Sequence, residues 1–245
     1  MPIQSNQNYL KNVIWEKMDW IPSKKQIEQF CHLQEILQEL NSSVNLTRLT
    51  EGKDFWVSQI FDSLWPLKSE INNPQNHKKI IDVGTGCGFP GLAIAIALPN
   101  ASMTLVDSVR KKTEAVKKMS TTLGLESRVL VLNERIELTG QDKSFRGCFD
   151  LAVARAVANT SVLSEYLIPL LNSDGEALIY KGKWSQVAQE QLEQSLIPLN
   201  AKIKVIDKLQ LPEDLGIRHS IRLSKMNECP GKYPRSIGIP VKRPL

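Results

Sequence analysis

The chain reads as an α/β protein built on a doubly wound, mainly parallel sheet. Three observations predict this. From residue 79 onward, short β-rich runs alternate with helical runs. The first of those strands runs straight into a glycine-rich turn, "DVGTGCGFPG" (82–91), which opens a helix. The segments ahead of residue 79 carry helical periodicity instead.

In order along the chain, "PSKKQIEQFCHLQEILQEL" (22–40) predicts a helix started by Pro22 and Ser23. Ile27, Phe30, Leu33, Ile36, Leu37 and Leu40 recur at steps of three and four. "NSSVNLTRLT" (41–50) reads as a loop. "EGKDFWVSQIFDSLWPL" (51–67) reads as a second helix stopped near Pro66, and "SEINNPQNHKK" (69–79), with Pro74, as a linker. The expected strands are 79–83, 102–107, 128–133, 149–155, 176–182, 201–209 and 219–225. Helices are expected from Pro90, Val109, Asn159 and Trp184. No convincing helix separates the last two strands, so they are expected to pair antiparallel at an edge.

Composition admits an ordinary globular domain, with 42% hydrophobic and 23% charged residues over 245 positions. The start, "MPIQSNQNYL", does not read as a secretory signal. The longest apolar run, "LAIAIAL" (92–98), is too short to span a bilayer. Cys31, Cys87, Cys148 and Cys229 are scattered, which fits a reducing cytoplasm and argues against a metal site. The formal charge of +5 is concentrated in "RKKTEAVKK" (110–118) and in the tail, 225–245. A solvated surface and a phosphate-binding surface both fit that charge.

The glycine turn satisfies G-x-G-x-x-G over residues 86–91. Gly84, Gly86 and Gly88 permit a tight turn and a close ligand approach. Pro90 fits a first helical position, where a missing N–H costs nothing. A dinucleotide would place a pyrophosphate there, yet Asp82 stands just before the glycines. S-adenosylmethionine carries an ammonium and a sulfonium, and Asp82 favours it over a nicotinamide dinucleotide. Asp107 closes the second strand nineteen residues after Gly88, where an acid accepts hydrogen bonds from a ribose in either class.

"DVGTGCGFPG", "LVDSVRKK", "ERIE", "FDLAVARA" and "YKG" resemble the glucose-inhibited division protein B family of small-subunit ribosomal RNA guanine-N7 methyltransferases. "NLTRLT", "FDSL" and the tail "KYPRSIGIPVKRPL" resemble the same family's helical front end and basic end, so the resemblance spans about residues 20–245. It implies a class I, Rossmann-like fold dependent on S-adenosylmethionine. A seven-stranded core (76–225) would follow a helical extension (1–75) and precede a basic tail (226–245). It also implies a cytoplasmic monomer acting on the small ribosomal subunit and its 16S rRNA, with neither metal nor membrane. The rival readings are methylation of another RNA site, a ribosome-binding protein that keeps only a cofactor pocket, and a nicotinamide-dependent oxidoreductase.

The cofactor residues expected are Asp82, Gly84, Gly86, Gly88, Phe89, Asp107, Ser108, Val109, Ile136, Glu137 and Arg155. By resemblance, Gly84 and Phe89 line the methionine end, Asp107 with Ser108 and Val109 holds the ribose, and Ile136 and Glu137 contact the adenine. Arg155 ends the fourth strand and is the expected catalytic residue, facing the cofactor carboxylate, an RNA phosphate or a purine edge. Guanine N7 offers a free lone pair on the major-groove edge, so no general base is required. That agrees with the lack of an evident acid–base dyad. Where amino-directed enzymes carry an Asn/Asp-Pro-Pro-aromatic motif, this chain reads "ARAVANT" (154–160). Lys181, Lys111, Lys112, Lys232, Arg235, Lys242 and Arg243 are candidates for salt-dependent RNA affinity. On that reading, removal of the tail after Lys225 spares cofactor binding. One departure stands out: Gln59 occupies a position where the family usually has His.

Overall fold

The computed structural model describes residues 2–73 and 77–245, with side chains from residue 10 onward. The core of the expected linker, residues 74–76, lies outside the described residues.

Helices α1 (Pro2–Met18) and α2 (Lys24–Val44) open the chain. Ser23 and Gln26 form a reciprocal capping box at the start of α2: the Ser23 hydroxyl accepts the Gln26 amide, and the Gln26 side chain accepts the Ser23 amide. The helix runs through residues 41–44, which the sequence suggests as loop, and stops at Asn45 in the left-handed region. The next run is broken into α3 (Gly52–Phe55), a π turn (Trp56–Phe61), α4 (Asp62–Leu64), a 3-10 turn (Trp65–Leu67) and α5 (Lys68–Asn72). Pro66 does not stop it, because a proline in the first turn of a new helical segment gives up no needed N–H.

The strands are β1 (Lys79–Val83), β2 (Ser102–Asp107), β3 (Val129–Asn133), β4 (Phe149–Arg155), β5 (Leu171–Lys181), β6 (Ala201–Gln210) and β7 (Ile217–Lys225). They form one sheet in the order β3-β2-β1-β4-β5-β7-β6. β1 pairs parallel with both β2 and β4, so the winding reverses between β1 and β4. The crevice at the carboxyl ends of those strands is the expected ligand position. The last two strands pair antiparallel as expected, with β6 at the edge and β7 inserted against β5. Between the strands lie α6 (Gly91–Ala97), α7 (Arg110–Thr122), α8 (Ile136–Thr139), α9 (Thr160–Leu167) and α10 (Gln186–Leu196), and α11 (Ile239–Lys242) ends the chain.

Alternation along β1 assigns its faces. Ile80 joins the core that includes Phe30, Trp56 and Ile94, whereas Ile81 and Val83 join the core beneath α9 and α10. The N-terminal helices therefore share a core with one face of the sheet.

Helix α6 is buried on every side. Its carbonyls at Ile96 and Ala97 accept from the Gln26 side-chain amide, and that at Ala101 just beyond accepts from Arg128. At its start, a Cβ on Gly91 would lie 2.3 Å from Leu105 Cδ2 and 2.7 Å from Asp82 Oδ2. Gly91→Ala is therefore expected to destabilise the fold by about 1–3 kcal/mol through overpacking, read as a lower urea midpoint. An unchanged midpoint would refute this tight contact.

Candidate active site

A cleft of about 1030 Å³ lies over the carboxyl ends of the strands. Its floor is the glycine turn. Gly84, Gly86 and Gly88 all have positive φ, at +72°, +59° and +94°. A Cβ at Gly84 would meet Val157 Cγ2 at 2.4 Å, whereas one at Gly86 would have only the Gly84 carbonyl nearby, at 3.9 Å. At Gly84 the missing side chain lets Val157 pack against the turn, and at Gly86 the backbone comes up to the cavity with no side chain in the way.

Asp107 holds this turn. Its Oδ2 accepts the Gly86 amide at 2.9 Å and its Oδ1 the Val109 amide at 2.8 Å. One carboxylate thereby ties the first turn to the start of α7, and each oxygen keeps acceptor capacity for a diol. Gly84, Gly86, Phe89, Asp107, Ser108, Val109, Ile136 and Arg155 all line the cleft. Phe89 is also core, with its ring edge-on to Phe55 at 6.1 Å.

Three expected residues lie elsewhere. Gly88 is not in the lining; a Cβ there would strike Leu92 Cδ1 at 2.6 Å, so its close packing is against α6. Glu137 is buried outside the lining, where its Oε1 accepts from Arg135 at 2.9 Å, the Tyr166 hydroxyl at 3.2 Å and the Gly238 amide at 3.0 Å. Burial acts to raise its pKa, but Arg135 and the Gly238 amide outweigh this and hold it below the ordinary value. Asp82 shares the Ile80 face of β1, fully buried beneath the turn, and its Oδ2 accepts the Gly91 amide at 2.9 Å. Pro90 is the N-cap rather than the first helical residue, so Gly91 supplies the first amide of α6. Asp82 already takes that amide, which a pyrophosphate would need. The carboxylate's argument against a dinucleotide thus runs through the helix start instead of through contact with a ligand.

Burial lifts the Asp82 pKa to about 6, against the opposing pull of the Thr85 hydroxyl, the Gly91 amide and the Arg155 charge. The folded value exceeds the unfolded one, so the folded state binds the extra proton. Stability is then expected to fall by about 3 kcal/mol as pH rises from about 4 to about 6, and to level off above that. Asp82→Asn should remove this slope and raise the urea midpoint at pH 8 relative to the parent. Parallel stability–pH curves for parent and variant would refute the assignment.

The N-terminal segment closes the other side of the cleft. Leu46, Thr47, Leu49, Ser58, Gln59 and Asp62 are all in the lining. Arg155 bridges to them from β4: Nη1 donates to the Ser58 carbonyl at 3.1 Å and to Asp62 Oδ2 at 3.3 Å, and Nη2 donates to Gln59 Oε1. Gln59, where the resemblance implies a His, thus has a defined partner in Arg155. Asp62 also faces Arg218, Oδ1 to Nε at 3.4 Å. Asp62 and Arg218 are absent from the expected set. "FDSL" and "NLTRLT" mark the segments supplying Asp62 and Thr47, whereas no local pattern marks Arg218 at the start of β7.

Of the candidate RNA-binding cations, Lys112 and Lys181 reach the lining, joined by Arg135, Lys183 and Arg218. Arg235 does not, because it is bound to the fully buried Glu165. The tail folds back onto the body, placing Val241 in the lining and Tyr233 in the core. Cys87 lines the cleft with its thiol pKa raised by burial, the opposite of what activates a nucleophile. Among the described residues no cluster of side chains fits a metal ion, and no helix is long and apolar enough to cross a membrane.

Comparison with known proteins agrees with this architecture. A solved transferase from Pyrococcus horikoshii is 12% identical with a TM-score of 0.50, covering 64% of this chain and 63% of its own, a likeness of fold alone. The ribosomal RNA small subunit methyltransferase G of Prochlorococcus marinus strain SARG is 58% identical over 232 residues, spanning 95% of this chain and 92% of the relative. That of Parasynechococcus marenigrum strain WH8102 is 52% identical over 231 residues, spanning 94% and 93%. The model of the GidB family, described as rRNA small subunit methyltransferase G, matches residues 26–217, and with relatives this similar over nearly its whole length the chain belongs to that family.

Proposed function

We propose that the protein transfers a methyl group from S-adenosylmethionine to N7 of a guanine in the 16S rRNA of the small ribosomal subunit. The carrying observation is one cleft that joins the glycine turn, the Asp107 clasp and Arg155. S-adenosylmethionine supplies an activated methyl group. Gly84 and Gly86 give its methionine end a backbone cradle, and Phe89 packs beside them. Asp107, Ser108 and Val109 take the ribose, and Ile136 flanks the adenine. Glu137 supports that wall by fixing Arg135 and the tail, and Asp82 and Gly88 shape the turn from below.

Arg155 faces the acceptor side. Its role is orientation and charge, because a guanine N7 carries no proton to remove. That fits a lining with no histidine among the described residues and a Cys87 whose thiol burial keeps protonated. Acceleration then rests on holding acceptor and methyl within about 3–3.5 Å and in line.

The test uses small subunits from cells lacking this protein, incubated with purified protein and methyl-labelled S-adenosylmethionine. Label is then mapped by reduction and aniline scission. Label at one scission-sensitive guanine is the expected result. Label that resists scission overturns the N7 assignment, and no label overturns the substrate.

A further inference from the structure

The cleft is electrically lopsided. Around the ends of β1, β2 and β3, Asp107 and Glu134 stand with Lys112 and with Arg135, which is already paired with Glu137, so no positive charge is left over there. Around the ends of β4, β5 and β7, Arg155, Lys181, Lys183 and Arg218 face one carboxylate, Asp62. Sheet register builds that second cluster. Arg155 is paired with Tyr180, next to Lys181, and Lys181 is paired with His219, next to Arg218. The His219 ring then bonds the Gly182 carbonyl at 3.0 Å, tying the β5 end, with Lys183 beyond it, to the start of β7.

Asp62 sits at the centre. Its side chain is 7% exposed, and its two oxygens face Arg155 and Arg218 at 3.3 and 3.4 Å. A carboxylate this buried requires a cation, and one cation would suffice. Even with the buried Asp82 counted against Arg155, the second guanidinium, Lys181 and Lys183 leave the cluster with positive charge to spare on the open side of the cleft, where Arg218 is 27% exposed.

We infer that Arg218, Lys181 and Lys183 form an anion subsite beside the catalytic cleft that takes a phosphodiester of the acceptor RNA strand, with Asp62 as the positioning residue holding Arg155 and Arg218 in place. This rests on the proposed function. The other anion within reach is the carboxylate of the methionine moiety. A single carboxylate would leave most of this charge unmatched, whereas a strand of phosphates meets it along the rim. A bidentate guanidinium fixes a phosphate's orientation as well as its distance, so the subsite would set the approach of the nucleotide to the methyl group.

The experiment compares the parent, Arg218→Ala, Arg218→Lys and Asp62→Asn, each first checked for a cooperative thermal transition. Methyl transfer to small subunits lacking the modification is measured across a salt series, and S-adenosylmethionine affinity is measured by calorimetry. For Arg218→Ala the expected result is a rise in KM of tenfold or more, with cofactor affinity within twofold of the parent. The slope of log affinity against log salt should shrink by about 1. Arg218→Lys should restore the slope without restoring KM, because a point charge lacks the fork. Asp62→Asn should raise KM for the subunit more than it lowers kcat. Should Asp62→Asn fail to fold, the two Arg218 variants decide. An unchanged KM and slope in Arg218→Ala overturns the subsite. A weakened cofactor affinity with unchanged KM assigns the anion to the methionine carboxylate and overturns the RNA reading. No transfer by the parent overturns the proposed function itself, which is a separate failure.

Discussion

Arg155→Ala is expected to lower kcat/KM for methyl transfer at least 100-fold, equivalent to about 2.7 kcal/mol of transition-state stabilisation. The guanidinium spans the cleft with three acceptors, from the end of β4 to Ser58, Gln59 and Asp62 on the N-terminal helices. It is also a cation that opposes the burial-driven upward pKa shifts of Asp82, Cys87 and Tyr180. Truncation removes both the bridge and the charge. Asp62 keeps Arg218 at 3.4 Å, so part of its pairing survives and the stability cost should stay below the about 3–5 kcal/mol of a fully orphaned buried charge. Arg155→Lys keeps the charge but cannot reach three acceptors with a planar fork, and should recover stability more than rate. Single-turnover transfer, measured at a temperature where each variant is folded, checks this. Full activity in Arg155→Ala would remove the residue from the site.

Several elements were legible because local chemistry and tertiary context agree. Strands β1, β2 and β4 match their expected limits residue for residue, since each is an apolar run that ends at the crevice. The glycine turn was legible for the same reason: glycines suit a backbone with three positive φ values so close together. Misreadings arise where distant residues decide. β5 starts at Leu171, five residues before the expected 176; a Cβ at Gly175 would lie 2.5 Å from the Phe149 carbonyl, so the glycine serves the close passage of β4. Pairings such as Asp62 with Arg155 and Arg218 join segments 90 residues or more apart, which no periodicity reports. Charge in the tail was visible, but a run of lysines and arginines does not say whether its partner belongs to another molecule or to Glu165.

That last ambiguity carries the second large effect. Removal of residues 226–245 is expected to cost most of the folding stability and to abolish cofactor binding, contrary to the reading of the tail as a separable RNA-binding appendage. Arg235 donates from its backbone amide at 2.8 Å and from its guanidinium at 2.6–3.1 Å to Glu165, whose exposure is 0%. Without it the carboxylate is buried with no cation beside it, a loss of about 3–5 kcal/mol. Arg146 donates to the carbonyls of Cys229, Pro230 and Tyr233, and Glu137 would lose the Gly238 amide. Tyr233 leaves the core at a further cost of about 1.5–3 kcal/mol. These sums approach the roughly 5–15 kcal/mol that holds a typical domain together. The cleft loses Val241 from its wall and the tail's hold on the Glu137 carboxylate. Arg235→Ala isolates the first of these terms and should by itself lower stability by about 3 kcal/mol or more. Glu165→Gln combined with Arg235→Ala should recover part of that loss, because no buried charge is then left unpaired. Denaturant midpoints and calorimetric titration with S-adenosylmethionine check both variants and the truncation. A truncated chain with the parent's midpoint and cofactor affinity would return the tail to the role of an appendage.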